Sequence, residues 1–102
     1  MYRILTEDKN RESILRLLDD SFDGYTVTET IGAWHGTRER SLAIDLIDVE
    51  YRDVESVAQG IRELNEQESV LILQFTAWPT FITADRPFPR QDVTFPEPAT
   101  LT

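Results

Sequence analysis

The 102-residue chain carries one histidine and no cysteine, which narrows the chemistry it can offer. His35 stands beside Trp34 and four positions before Glu39. An imidazole titrates near neutrality and a nearby carboxylate can orient it, so His35 and Glu39 are the weak candidates for an acid and a base. The plainer reading of His35 is a polar turn residue. Without thiolates, and with a single histidine among scattered carboxylates, the chain has no recognised metal-ligand spacing, and neither a metal nor a cofactor is expected. No phosphate-binding glycine loop of Walker or Rossmann spacing occurs, and no nucleophile elbow. Enzyme signatures are thin, and catalysis is the weaker expectation.

Binding chemistry is better supplied. Arg38, Arg40 and Ser41 follow His35 closely, and guanidinium groups suit phosphate oxygens. Thr26, Thr28 and Thr30 form a row of hydroxyls that could add donors, although threonines are also simply good strand formers. Trp34 could stack on a base, or anchor the hairpin. Glu29 falls on the alternation of Tyr25, Val27 and Ile31, where a carboxylate needs a partner. Arg38 or Arg40 can approach it only if the hairpin folds back, whereas a neighbouring subunit could supply Arg3 or Arg52. The candidate ligand-binding set is therefore Thr28, Glu29, Trp34, His35, Arg38, Glu39, Arg40 and Ser41.

These residues must be held by one modest core, since domains usually run to roughly 100 to 200 residues. Nineteen acidic residues against ten basic ones give a formal charge of -9, which repels nucleic acid backbones and anionic membranes, so DNA is not an expected partner. No apolar run approaches the ~18 residues that cross a bilayer. The opening MYRILTEDKN lacks the basic start and apolar stretch of a secretory signal, and a cytoplasmic protein is expected.

Met1 to Thr6 reads as a short strand. A helix follows, with Asn10 as its N-cap, Ile14, Leu15, Leu17, Leu18 and Phe22 at helical spacings, and Asp23-Gly24 as its stop. From Tyr25 to Ala33 the period becomes two, and Ser41 to Val49 repeats it, with residues 35–40 as the hairpin connection. Asp53 could cap a second helix whose stripe is Val54, Val57, Ala58, Ile61 and Leu64. Gly60 within it either permits close packing against the sheet or weakens the helix. Val70 to Phe75, continued through Trp78, is the last strand.

Strand, helix, strand, strand, helix, strand is the split βαβ, or ferredoxin-like, order: an α+β fold with a four-stranded antiparallel sheet and both helices on one face. The expected organisation is a body over residues 1–78 and an extended proline-rich tail over 79–102, whose Phe81, Phe88 and Phe95 suggest docking on the body, a neighbour or a partner. Ala43, Ile47 and Val49 make the uncovered side of one strand partly apolar, which predicts association through the sheet.

The run Gly24-Tyr25-Thr26-Val27-Thr28-Glu29-Thr30-Ile31-Gly32 resembles the second strand of PII-type signalling proteins, which carry a similar G-x-T-V-x-E-x-x-G pattern. CutA-type proteins share that fold. The resemblance implies trimers formed around open sheet faces. The longer run from Gly32 to Leu42 is similar to the G-x-W-x-G-x-x-E-x-S-L pattern of small bacterial and phage proteins, mostly without assigned function, and this second likeness covers about residues 1 to 75. Two departures from the PII pattern stand out. Only a few residues separate Trp34 from Ser41, where PII proteins place a long loop. The glycine-rich loop that holds nucleotide phosphates in that family is replaced by Asn65-Glu66-Gln67-Glu68-Ser69, and two glutamates would repel phosphate.

The resulting expectation is a small PII-like regulatory or binding protein, trimeric, that holds a small ligand such as a nucleotide in clefts between subunits, and that could be phage-encoded. The alternatives are a phosphodiesterase or hydrolase using His35 and Glu39, and an interaction module that blocks a host protein through its tail.

Overall fold

A computed structural model describes residues 1–76 and 80–84, apart from the side chain of Trp34. Its elements follow the expected order: β1 (Tyr2–Glu7), α1 (Arg11–Ser21), β2 (Thr26–Trp34), β3 (Thr37–Leu46), α2 (Tyr51–Asn65) and β4 (Leu71–Gln74). The strands form one antiparallel sheet in the order β2-β3-β1-β4. This is the ferredoxin-like α+β arrangement.

The register decides which side chains face the helices. Ile4 stands opposite Ile44 and Ile72, and Val27 opposite Ile44. These positions and their i±2 neighbours meet Ile14 and Leu18 of α1 and Val54, Val57, Ala58 and Ile61 of α2 in a single core. Each fully buried aliphatic side chain stabilises the fold by about 1.5–3 kcal/mol. Arg3, Leu5, Ala43, Asp45, Leu71 and Leu73 occupy the other face, which no element covers among the described residues.

Several boundaries differ from expectation for local reasons. Asn10 precedes α1 in a left-handed conformation and makes no side-chain cap. Its amide donates instead to the Leu64 carbonyl and to Asn65 Oδ1. The helix ends at Ser21 with Phe22 extended and buried, so apolar anchoring stops it, and Gly24 adopts no left-handed turn. In α2 the cap position is Glu50, and Asp53 lies within the first turn. The stripe of α2 ends on Asn65, which is buried, while Leu64 turns outward. Gly60 faces α1 and not the sheet: a Cβ there would lie 3.1 Å from Leu17 Cδ2.

The hairpin is tighter than expected. Only His35 and Gly36 turn, both with positive φ (50° and 80°), as a two-residue turn matched to strand twist requires. Thr37, Arg38, Glu39 and Arg40 therefore belong to β3, whereas Ile47 and Val49 lie beyond its end. β4 closes at Gln74, and Trp78 lies outside the described residues, as do Phe88, Phe95 and the prolines of the tail.

Candidate functional site

With the turn fixed at His35-Gly36, the β2–β3 ribbon carries two sets of side chains. Glu29 stands opposite Leu42, Ile31 opposite Arg40 and Ala33 opposite Arg38, all on the helix side. Thr28 stands opposite Ala43, Thr30 opposite Ser41 and Gly32 opposite Glu39, on the uncovered side. The candidate ligand-binding residues are thus divided between two faces. Within one subunit the register separates the threonine row and Ser41 from Arg38 and Arg40. Trp34 pairs with Thr37 at the end of the ladder, and its side chain lies outside the described part. His35 sits in the turn itself, exposed, and Glu39 is a strand residue.

On the helix side the ribbon's root forms a charged groove of about 690 Å³ lined by Asp8, Glu29, Thr30, Ile31 and Arg40. The Arg11 guanidinium organises it. Arg11 Nη2 lies 2.5 Å from Asp8 Oδ2 and 2.6 Å from Glu29 Oε2. The hydrogen bond from Arg11 holds the Asp8 carboxyl below its ordinary pKa, with partial burial opposing and the Arg11 and Arg40 charges assisting. Glu29 therefore takes its partner from α1 of its own chain, and neither Arg3 nor Arg52 of a neighbour is needed. Arg3 is committed elsewhere: its guanidinium is 2.6 Å from Asp45 Oδ1 on the uncovered face and lies over the Phe75 ring, 5.3 Å from its centre. Sequence reasoning missed Asp8 and Arg11, although their i,i+3 spacing across the start of α1 was a usable signal. Arg38 and Arg40 have no carboxylate within salt-bridge distance among the described residues.

A second cleft, about 600 Å³, opens at the other end of the ribbon between Phe22, Tyr25 and Ile47, rimmed by Asp23, Asp48 and Glu50. Tyr25 donates to Asp19, and that bond first, then burial, raises the phenol above its usual pKa. No group of three metal-ligating side chains occurs among the described residues. No helix among them is long and apolar enough to cross a membrane.

The loop after α2, where a phosphate-holding glycine run would lie in the PII pattern, is filled by the chain's own amides. Asn65 is 1% exposed. Its Nδ2 donates to Gln67 Oε1 (2.9 Å) and Thr6 Oγ1 (3.3 Å), and Gln67 Nε2 donates to the Ser69 carbonyl. This loop is closed on itself, with Glu66 and Glu68 on its outside.

No protein-family model matches the sequence. No curated protein matches it either. Among solved structures, the chain is similar to CPII, a nitrogen regulatory PII-like protein from Thiomonas intermedia, bound to ADP, AMP and bicarbonate. The likeness has a TM-score of 0.53 at 20% sequence identity and covers 78% of this chain and 92% of that one. At that identity the shared property is the fold.

Proposed function

We propose that this chain is a small PII-like regulatory or binding protein, a homotrimer joined through the uncovered sheet faces, that holds a nucleotide in clefts between subunits beside the hairpin. The observation that carries the reading is the fold shared with CPII, which is itself bound to ADP and AMP. The uncovered face supports association, because Leu5, Leu71 and Leu73 place apolar surface around the Arg3–Asp45 pair, and Leu71 is 52% exposed. The filled loop after α2 moves the phosphate contacts to Arg38 and Arg40, which make no salt bridge among the described residues. A ligand that also meets Thr28 and Ser41 must then draw on two subunits, because one ribbon presents these groups on opposite sides. A cytoplasmic, phage-encoded protein of this kind would sequester a host signalling nucleotide. Its body would span residues 1–78, with 79–102 as a docking tail.

Thermal unfolding of the full chain with AMP, ADP and ATP tests the ligand. At a hundredfold excess over Kd, a bound nucleotide stabilises by about 2.7 kcal/mol, an upward shift readily seen in a melt. The shift is expected to disappear in Arg40→Gln. No response to any nucleotide sinks the ligand assignment. Sedimentation showing a monomer at micromolar concentration sinks the assembly.

A further inference from the structure

We propose that β2 is a self-pairing edge: two copies join their β2 strands antiparallel about a two-fold axis at Thr30, making one continuous eight-stranded sheet. The starting observation is the edge itself. β2 ends the sheet on one side with nine residues, whereas the opposite edge, β4, has four. Proteins blunt long edges with proline, lysine, bulges or inward charges. Thr26–Trp34 has no proline or lysine, and its register against β3 runs unbroken from Thr26↔Asp45 to Trp34↔Thr37, so no bulge twists it away. Its one charge on the helix side, Glu29, is 71% exposed and paired with Arg11, so it is not a buried inward charge. Its far half projects as a two-stranded ribbon in which Ile31 is 77% exposed, and such ribbons are marginal in water.

The occupant follows from the ladder. A two-residue turn makes Trp34↔Thr37 a hydrogen-bonded pair, and alternation then directs the peptide groups of residues 26, 28, 30, 32 and 34 toward β3. Those of Val27, Glu29, Ile31 and Ala33 point outward and pair with no strand among the described residues. In an antiparallel partner of the same sequence centred on Thr30, Val27 meets the other Ala33 and Glu29 meets the other Ile31. Every outward group thus finds an outward group, giving about eight new backbone hydrogen bonds with the whole strand overlapping.

Side chains agree on both faces. On the helix side the row across the axis reads Arg40, Ile31, then Glu29 and Leu42 of the second copy, so opposite charges flank the exposed isoleucine and like charges are not opposed. On the uncovered side Thr30 meets Thr30, and Thr28 meets Gly32, so no bulk clashes across the axis. β4 is too short to satisfy such an edge, which favours β2 of a second copy over a head-to-tail chain.

The edge is distinct from the sheet face invoked above: both interfaces together make a hexamer, the edge alone a dimer and the sheet face alone a trimer, so the two ideas fail separately. The chain has no cysteine, so a single introduced thiol reports unambiguously. Thr30 is a non-hydrogen-bonded pair on the axis with Cα atoms about 4.5 Å apart, inside the roughly 4.4–6.8 Å range of disulfides. The Thr28 copies would lie about 13 Å apart and cannot bridge. Under mild oxidation at micromolar protein, Thr30→Cys is expected to convert mostly to a covalent dimer at least tenfold faster than Thr28→Cys. Equal rates, or no bridge at Thr30, overturn the proposal. Ile31→Pro leaves the β2–β3 ladder intact but blocks the outward face, so it is expected to halve the sedimenting mass while circular dichroism is retained. An unchanged mass in the folded variant, or a wild-type mass that is an odd multiple of the chain, overturns it as well.

Discussion

Asn65 offers the sharpest test of how the two loops at one end of the body are held. It terminates α2 inside the protein, 1% exposed, where an apolar stripe would ordinarily place leucine or valine. Its amide nitrogen has three acceptors in reach, Gln67 Oε1 at 2.9 Å, Thr6 Oγ1 at 3.3 Å and the Glu7 carbonyl at 3.4 Å, for two hydrogens. Its oxygen accepts from Asn10 Nδ2 at 3.1 Å. About three hydrogen bonds are therefore satisfied at once, each worth about 1 kcal/mol net. Asn65→Ala removes all of them and opens a small void, for an expected loss of about 2–4 kcal/mol. At about 4–8 °C per kcal/mol for a domain of this size, Tm falls by on the order of 10–25 °C. Thermal and urea unfolding followed by far-UV circular dichroism measures it. Thr6→Val breaks part of the same network, so the double variant is expected to lose less than the sum of the single losses. A cost below about 0.5 kcal/mol for Asn65→Ala, or strict additivity with Thr6→Val, would refute the idea that one buried amide ties β1, α1 and the loop after α2 together.

Gly60→Ala should stabilise by about 0.5 kcal/mol. The gain in helix propensity, about 1 kcal/mol, exceeds the cost of moving the half-buried end of Leu17 a few tenths of an ångström; a loss above about 1 kcal/mol in urea unfolding would mean that Leu17 cannot move. Asp8, held below its ordinary pKa mainly by Arg11, contributes stability that is present above its unfolded pKa of about 3.9 and lost as pH falls through the depressed folded value. The urea midpoint of the wild type should therefore drop more steeply below pH 4 than that of Arg11→Gln, and parallel curves would contradict the assignment. Arg38→Gln and Arg40→Gln alter exposed side chains that make no salt bridge among the described residues, so each should change stability by less than about 0.5 kcal/mol, and any loss of a nucleotide-induced shift then reads binding and not folding.

What was legible in the sequence is what periodicity encodes. The stripe Val54, Val57, Ala58, Ile61 and the alternation of Leu42, Ile44 and Leu46 are local patterns, and the core uses both as written. Pairings that need the tertiary fold were not legible: nothing near Glu29 in sequence announces Arg11 of α1, and Asn65 looked like a loop residue because its partners Thr6 and Asn10 lie more than fifty positions away. The turn is shorter than the six residues expected for a different reason: His35 and Gly36 take the two left-handed positions, a pair that Asn-Gly fills more often than His-Gly.

That turn has the largest consequence for the site. Because side chains alternate, fixing the reversal at residues 35 and 36 assigns each of residues 26 to 46 to a face, and moving the pairing by one residue would exchange the two sets. It places Arg38 and Arg40 on the same face as Glu29, and Thr28 and Ser41 on the opposite one. The proposed site draws on Arg38 and Arg40 from one face and on Thr28 and Ser41 from the other, so one chain with this register cannot bring all four to one ligand. The proposed assembly would then serve that chemistry as well as cover apolar surface, and a variant that remains monomeric while binding nucleotide through all four residues would contradict the register itself.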